Sequence, residues 1–226
     1  MTKIIIFRIA IFIVFTIVSY LLSANYQDMI GFTLVLSIGL IHGANDLLII
    51  KKNSKFTSNY SQFRPFFTYI GVVLLGFTFF YFFPSFALIT FIIVSIYHFG
   101  EQHLEAMPIT RSLKNNYRVI SILSHGIILF TIIFLNNINT VNNVFLSFKI
   151  NFLNSNILNI ILITASIVYI STLVINKYLT SFIFSEILFF VLFYFLSLSS
   201  TLILCFSVYF IFFHSILSIK DQVKYI

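Results

Sequence analysis

Hydrophobic residues run along this chain in eight stretches, each parted from the next by a short polar segment. They cover roughly residues 4–24, 29–50, 65–83, 86–106, 117–135, 156–176, 181–198 and 200–219. Each is about 18–22 residues long, enough for about 30 Å of α-helix, the depth of a bilayer's hydrocarbon. The pattern predicts an all-α fold: a polytopic integral-membrane bundle of eight transmembrane helices in a single domain over residues 1–226. Only Ser197-Leu198-Ser199-Ser200 separates the last two stretches. Merging them would leave seven spans, but about 38 residues is too long for one crossing. The first stretch begins with Lys3 and Arg8 like a secretory leader. Its length, and the lack of a small-residue cleavage site at Ser23-Ala24-Asn25, predict a retained span.

The charges divide by side. With a cytoplasmic N-terminus, the inner segments hold Lys3, Arg8, Lys51, Lys52, Lys55, Arg64, Arg111, Lys114, Arg118, Lys177, Lys220 and Lys224, and the outer ones only Lys149. That asymmetry predicts eight spans with both termini cytoplasmic. The outer stretch around 136–155 is rich in Asn and predicts a short interfacial helix around 143–150.

Composition narrows the class further. Hydrophobic residues make up 60% and charged residues 8% of the chain, with a mean hydropathy of +1.06. A soluble protein of this length has too little interior to hide that much apolar surface. The net charge of +7 is then a topology signal and not a nucleic-acid footprint. Cys205 is the single cysteine, so no intrachain disulfide forms.

Against this background four histidines stand out. His42, His98, His125 and His214 each lie about six to eight residues from the predicted cytoplasmic end of a span, roughly 9–12 Å deep. Ionisable side chains at such depth are costly and mark functional sites. Four at one level on four helices predict a buried metal centre with these imidazoles as ligands. Polar neighbours share their faces: Gly39, His42 and Asp46; Ser95, His98, Gln102 and Glu105; His214, Ser218 and Asp221. Asp46, Glu101 and Ser218 are the candidates to orient ligand imidazoles. Glu186 is placed to join from the cytoplasmic side of the seventh span. His103, five residues and about 140° round the helix from His98, is expected at the interface. Glycines beside the histidines (Gly43, Gly100, Gly126) leave room for close helix contact or a bulky apolar substrate. Imidazole ligands suit iron, copper and haem alike, and spacing does not choose among them.

The motifs His42-Gly43-Ala44-x-Asp46, Tyr97-His98-Phe99-Gly100-Glu101, Ser124-His125-Gly126 and Phe213-His214-Ser215 together resemble the Brp/Blh family of integral-membrane β-carotene 15,15′-dioxygenases. The resemblance runs from about residue 30 to residue 220. It implies an oxidoreductase with non-haem Fe(II) that splits a lipid-soluble carotenoid with O2 to give two retinal molecules. It also implies a multi-pass protein of a bacterial cytoplasmic membrane, in contact with the lipid bilayer and with a rhodopsin as retinal acceptor. His42, His98 and His214 match the family's ligand motifs. One position departs: the family's His four residues after the last-motif His is Ser218 here. Two other readings accompany this one, a carotenoid- or retinal-binding member without cleavage activity and a haem-binding membrane protein. If the family arrangement holds, Ser218→His preserves or raises carotenoid cleavage in membranes; complete loss would show that Ser218 belongs to another arrangement.

Overall fold

The structure is a computed structural model that describes residues 2–39, 64–105, 107, 115–175, 180–216 and 219. Every regular element among them is helical. In chain order these are α1 (Thr2–Leu21), α2 (Ala24–Leu34) running into a π-helical turn (Val35–Gly39), α3 (Arg64–Phe82) and α4 (Pro84–Glu105). There follow α5 (Asn115–Asn136), α6 (Ile138–Ser147), α7 (Ser155–Ile175), α8 (Ile183–Ser199) and α9 (Leu202–Tyr209), which continues as a second π-helical turn (Phe210–Ser215). Among the described residues, α4, α5, α7, and α8 with its leading turn are long and apolar enough to cross a membrane. Shorter apolar helices occupy Ile6–Leu21, Phe67–Phe82 and Leu202–Ser215.

Local chemistry sets the breaks. Pro84 opens α4, where a missing N–H costs nothing and the ring ends the preceding helix. α8 and α9 are separate helices, as the Ser-rich joint predicts. Thr201 caps α9, its hydroxyl accepting from the Leu204 N–H at 3.3 Å. The short outer helix is present but begins earlier than expected, at Ile138, because its apolar face, Val141 and Phe145, packs inward. Gln27 ties the α1–α2 turn to the α8–α9 turn. It donates to the carbonyls of Ser19 (2.7 Å) and Leu22 (3.1 Å) and accepts from the Thr201 N–H (2.8 Å).

α5 is the central helix, packed against α4, α7 and α8, with Ile122, Ile128, Leu129, Ile132 and Ile133 buried. Lipid tails are as apolar as these side chains, so burial alone gives little drive for helices to associate in a bilayer; close packing and interhelical hydrogen bonds supply it. α4 and α5 cross antiparallel on two glycines. A Cβ on Gly100 would run into the Ile122 carbonyl, and one on Gly126 into the Ile96 carbonyl. On the other side of α5, Ser121 donates to the Thr172 hydroxyl of α7 at 2.7 Å. A second core of rings joins α1, α8 and the last helix: Phe12 stacks on Phe213 at 4.6 Å, and Phe213 on Tyr209 at 5.8 Å.

Gly126→Ala should therefore force α4 from α5 and cost about 1–3 kcal/mol in detergent unfolding. Gly71→Ala on α3, where a Cβ meets nothing within 4 Å, should be neutral or slightly stabilising, because alanine is the better helix former.

Candidate metal centre

α4 carries two histidines that face different neighbours. Its buried stripe is Ser95, Phe99, Gly100, His103 and Leu104, the face pressed onto α5 through Gly100. His98 lies beside that stripe and His103 within it. Their five-residue separation turns them about 140° apart on an α-helix, so they cannot reach one point.

His98 meets His214. The two rings lie 4.7 Å apart at 70°, with His214 buried and His98 exposed. Gln102, one turn beyond His98, donates to the His214 carbonyl at 3.1 Å. His214 lies in the π-helical turn, whose wide i→i+5 bonding is often found at functional sites. Phe99 and Phe210 cover the His214 ring, at 5.2 and 5.4 Å. The Arg8 guanidinium lies 5.9 Å from the centre of the neighbouring Phe213 ring, a cation–π arrangement.

His103 meets His125 and Glu186. Side chains lean toward the N-terminus of their own helix. In the antiparallel α4–α5 pair, His103 and His125 therefore lean toward one another, and their rings stack at 3.9 Å and 21°. His103 Nε2 lies 2.9 and 3.1 Å from the two Glu186 oxygens, and the Tyr169 hydroxyl donates to Glu186 Oε2 at 2.8 Å. His125 is fully buried. Its Nδ1 is 3.8 Å from Glu186 Oε2, and neither of its ring nitrogens makes a hydrogen bond. The potential ligand atoms of His103, His125 and Glu186 all lie within 4.8 Å of one another.

The structure thus divides the expected histidine layer. His98 and His214 are together. His125, expected beside them, stands with His103 and Glu186, because its face of α5 looks toward α7 and α8. Glu186 reaches this second group and not the His98–His214 pair. His103 is buried and not interfacial. Glu101, expected to orient His98, takes part in an outer network: it accepts from the Tyr97 hydroxyl at 3.3 Å and lies 3.8 Å from Arg118, which also pairs with Glu105 at 2.9 Å. His42, Asp46 and Ser218 lie outside the described residues. Tyr169 escaped the sequence reading altogether. For His103 a signal was available: it is three residues from Gly100, on the helix face that the glycine brings against α5.

A family model described as beta-carotene 15,15′-dioxygenase matches residues 33–225. The chain belongs to this family. No curated protein and no solved structure matches it. Membership in the beta-carotene 15,15′-dioxygenase family raises the question of which donors in this apolar bundle suit a metal. Two imidazoles bound side by side on one ion, at metal–nitrogen distances of about 2.1 Å, hold their centroids roughly 4.5–5.5 Å apart. The His98–His214 separation of 4.7 Å falls in that range. The His103–His125–Glu186 group has suitable donors, but its rings are nearly parallel. They stack at 3.9 Å, and the carboxylate is already held by His103 and Tyr169. As placed, the three form a buried hydrogen-bonded core.

Removing one member of a buried, hydrogen-bonded pair strands the other. Glu186→Leu should cost about 3 kcal/mol in detergent unfolding and Tyr169→Phe about 1 kcal/mol. Equal, negligible losses would show that the carboxylate does not anchor this core.

Proposed function

We propose that the chain is a membrane-embedded dioxygenase that cleaves β-carotene, or a related carotenoid, at its central 15,15′ double bond. One O2 is consumed and each half leaves as retinal. The observation that carries this reading is the His98–His214 pair, two imidazoles at ion-sharing distance on an aromatic wall in a chain of this family. Iron(II) would be held by these two and by His42, and would supply dioxygen binding and redox chemistry. The chain's own residues do the rest. Phe99 and Phe210 present flat hydrocarbon beside the pair, which suits a conjugated substrate and excludes water. Gln102 fixes the His214 carbonyl and with it the wide turn that aims the imidazole. The reaction needs no proton donor or acceptor, so a site without a free acid–base pair is adequate.

The charge pattern supports eight crossings with both termini inside; the family resemblance implies a bacterial cytoplasmic membrane, a carotenoid arriving through the bilayer, and retinal passing to an acceptor such as a rhodopsin. His125 and Glu186 serve the bundle's interior and not the iron.

Expression in a β-carotene-producing bacterial host should bleach the cells and yield retinal. His98→Ala and His214→Ala should each lower cleavage at least a hundredfold and remove iron from the purified protein, and Gln102→Leu should lower cleavage roughly tenfold. Glu186→Gln should retain the iron. Iron lost with Glu186→Gln but kept in His98→Ala would move the centre to His103, His125 and Glu186. Pigmented, iron-free wild-type protein would make the chain a carotenoid binder, and a Soret band would make it a haem protein.

A further inference from the structure

A cavity of about 330 Å³ lies between α4, α5, α6 and α9, with α2 along one side. No polar atom is exposed on its wall. Its one lining hydroxyl, Ser207, is turned onto the Ile203 carbonyl at 2.6 Å. Phe32 and Phe91, both about half exposed, flank its opening, so it opens sideways from the bundle.

The cavity lies a definite distance from the histidine pair. On α4 its lining residues Ile92 and Leu88 precede His98 by six and ten positions, about 9–15 Å along a helix. A wall of rings fills the interval. Phe206, in the cavity lining, stacks on Phe210 at 6.0 Å and 7°, and Phe210 stacks on His214 at 5.4 Å and 22°. Phe99 touches Phe206, Phe210 and His214.

We infer that this cavity is the slot for one end ring of the carotenoid, with the polyene laid along the Phe206–Phe210–His214 wall. The inference rests on the dioxygenase reading above and extends it to substrate choice and cleavage position. From the central bond of β-carotene to its ring carbon is nine bonds. At roughly 1.2 Å per bond for an extended chain this is about 11 Å, within the 9–15 Å interval, so a ring seated in the slot brings the central bond to the histidine pair. The slot offers a ring no hydrogen-bond partner. A ring hydroxyl would be buried without an acceptor, and an apolar site rejects an added hydroxyl by roughly a hundredfold at most. Val144, on α6 and partly exposed, lines the slot, so a larger side chain there takes space from the ring.

The test compares β-carotene with zeaxanthin, the same skeleton with a hydroxyl on each ring, using the full-length purified chain and its Val144→Trp variant. The expected result is a kcat/KM for β-carotene 10–100-fold above that for zeaxanthin. In Val144→Trp the products should shift from retinal to apocarotenals of unequal length. Equal turnover of the two carotenoids, with Val144→Trp still giving only retinal, would overturn the slot. Should iron-loaded wild type cleave neither, the dioxygenase reading fails and pigment retention decides the slot. Wild type keeping β-carotene at least tenfold over zeaxanthin, and Val144→Trp losing it, would support the slot. Equal retention by both proteins would overturn it. Val144→Ala checks that the variant is folded and should keep retinal as product.

Discussion

Two glycines set how the histidines of α4 and α5 are aimed. Gly100 on α4 lies under the Ile122 carbonyl of α5, and Gly126 on α5 under the Ile96 carbonyl of α4. With backbones in contact, the phase and height of each helix are set by peptide groups, which cannot give way as a flexible side chain can. The same crossing buries His103 against His125 and turns His98 out of that interface toward the last helix. In a bilayer, where burying leucine against leucine gains little, such contacts carry much of the specificity that a water-driven core would otherwise supply.

The polar interior separates into two systems with different physical characters. Around Glu186 the partners are internal: an imidazole on both oxygens, a phenol on one, and phenylalanines outside. Such a network is expensive to leave incomplete and rigidifies what it joins, here α4, α5, α7 and α8. Around His98 and His214 the surroundings are aromatic, and Gln102 donates to the His214 backbone carbonyl. The first system suits architecture. The second sets two imidazoles at ion-sharing distance on an aromatic wall.

Much of the fold is legible in the sequence, because length and hydropathy report directly on crossing a bilayer. The boundaries of α4, α5, α7 and α8 fall within a few residues of the apolar stretches, and the serine-rich joint between the last two helices is a true break. The family is legible too, since ordered motifs survive where single residues would not. The grouping of the histidines is not. Depth can be counted along a helix, but convergence depends on rotation about its axis, and rotation here is set by the glycine crossing and a π-helical turn. His125 has the right depth and the wrong azimuth for the His98–His214 pair. His103, near the end of its helix, passes for an interfacial residue until its glycine-bearing face is recognised as the packed one.

The π-helical turn at Phe210–Ser215 carries one more implication. A turn of this kind holds an extra residue relative to an α-helix, so the stretch is one residue longer than regular winding would need. Removing a single residue ahead of His214 would let the helix relax into ordinary winding, and the imidazole would no longer stand where the wide turn now holds it against His98. Chain length in this stretch is thus as much a part of the site as the imidazole. Homologous chains that drift freely in the Asn-rich outer segment would be expected to tolerate no gap here.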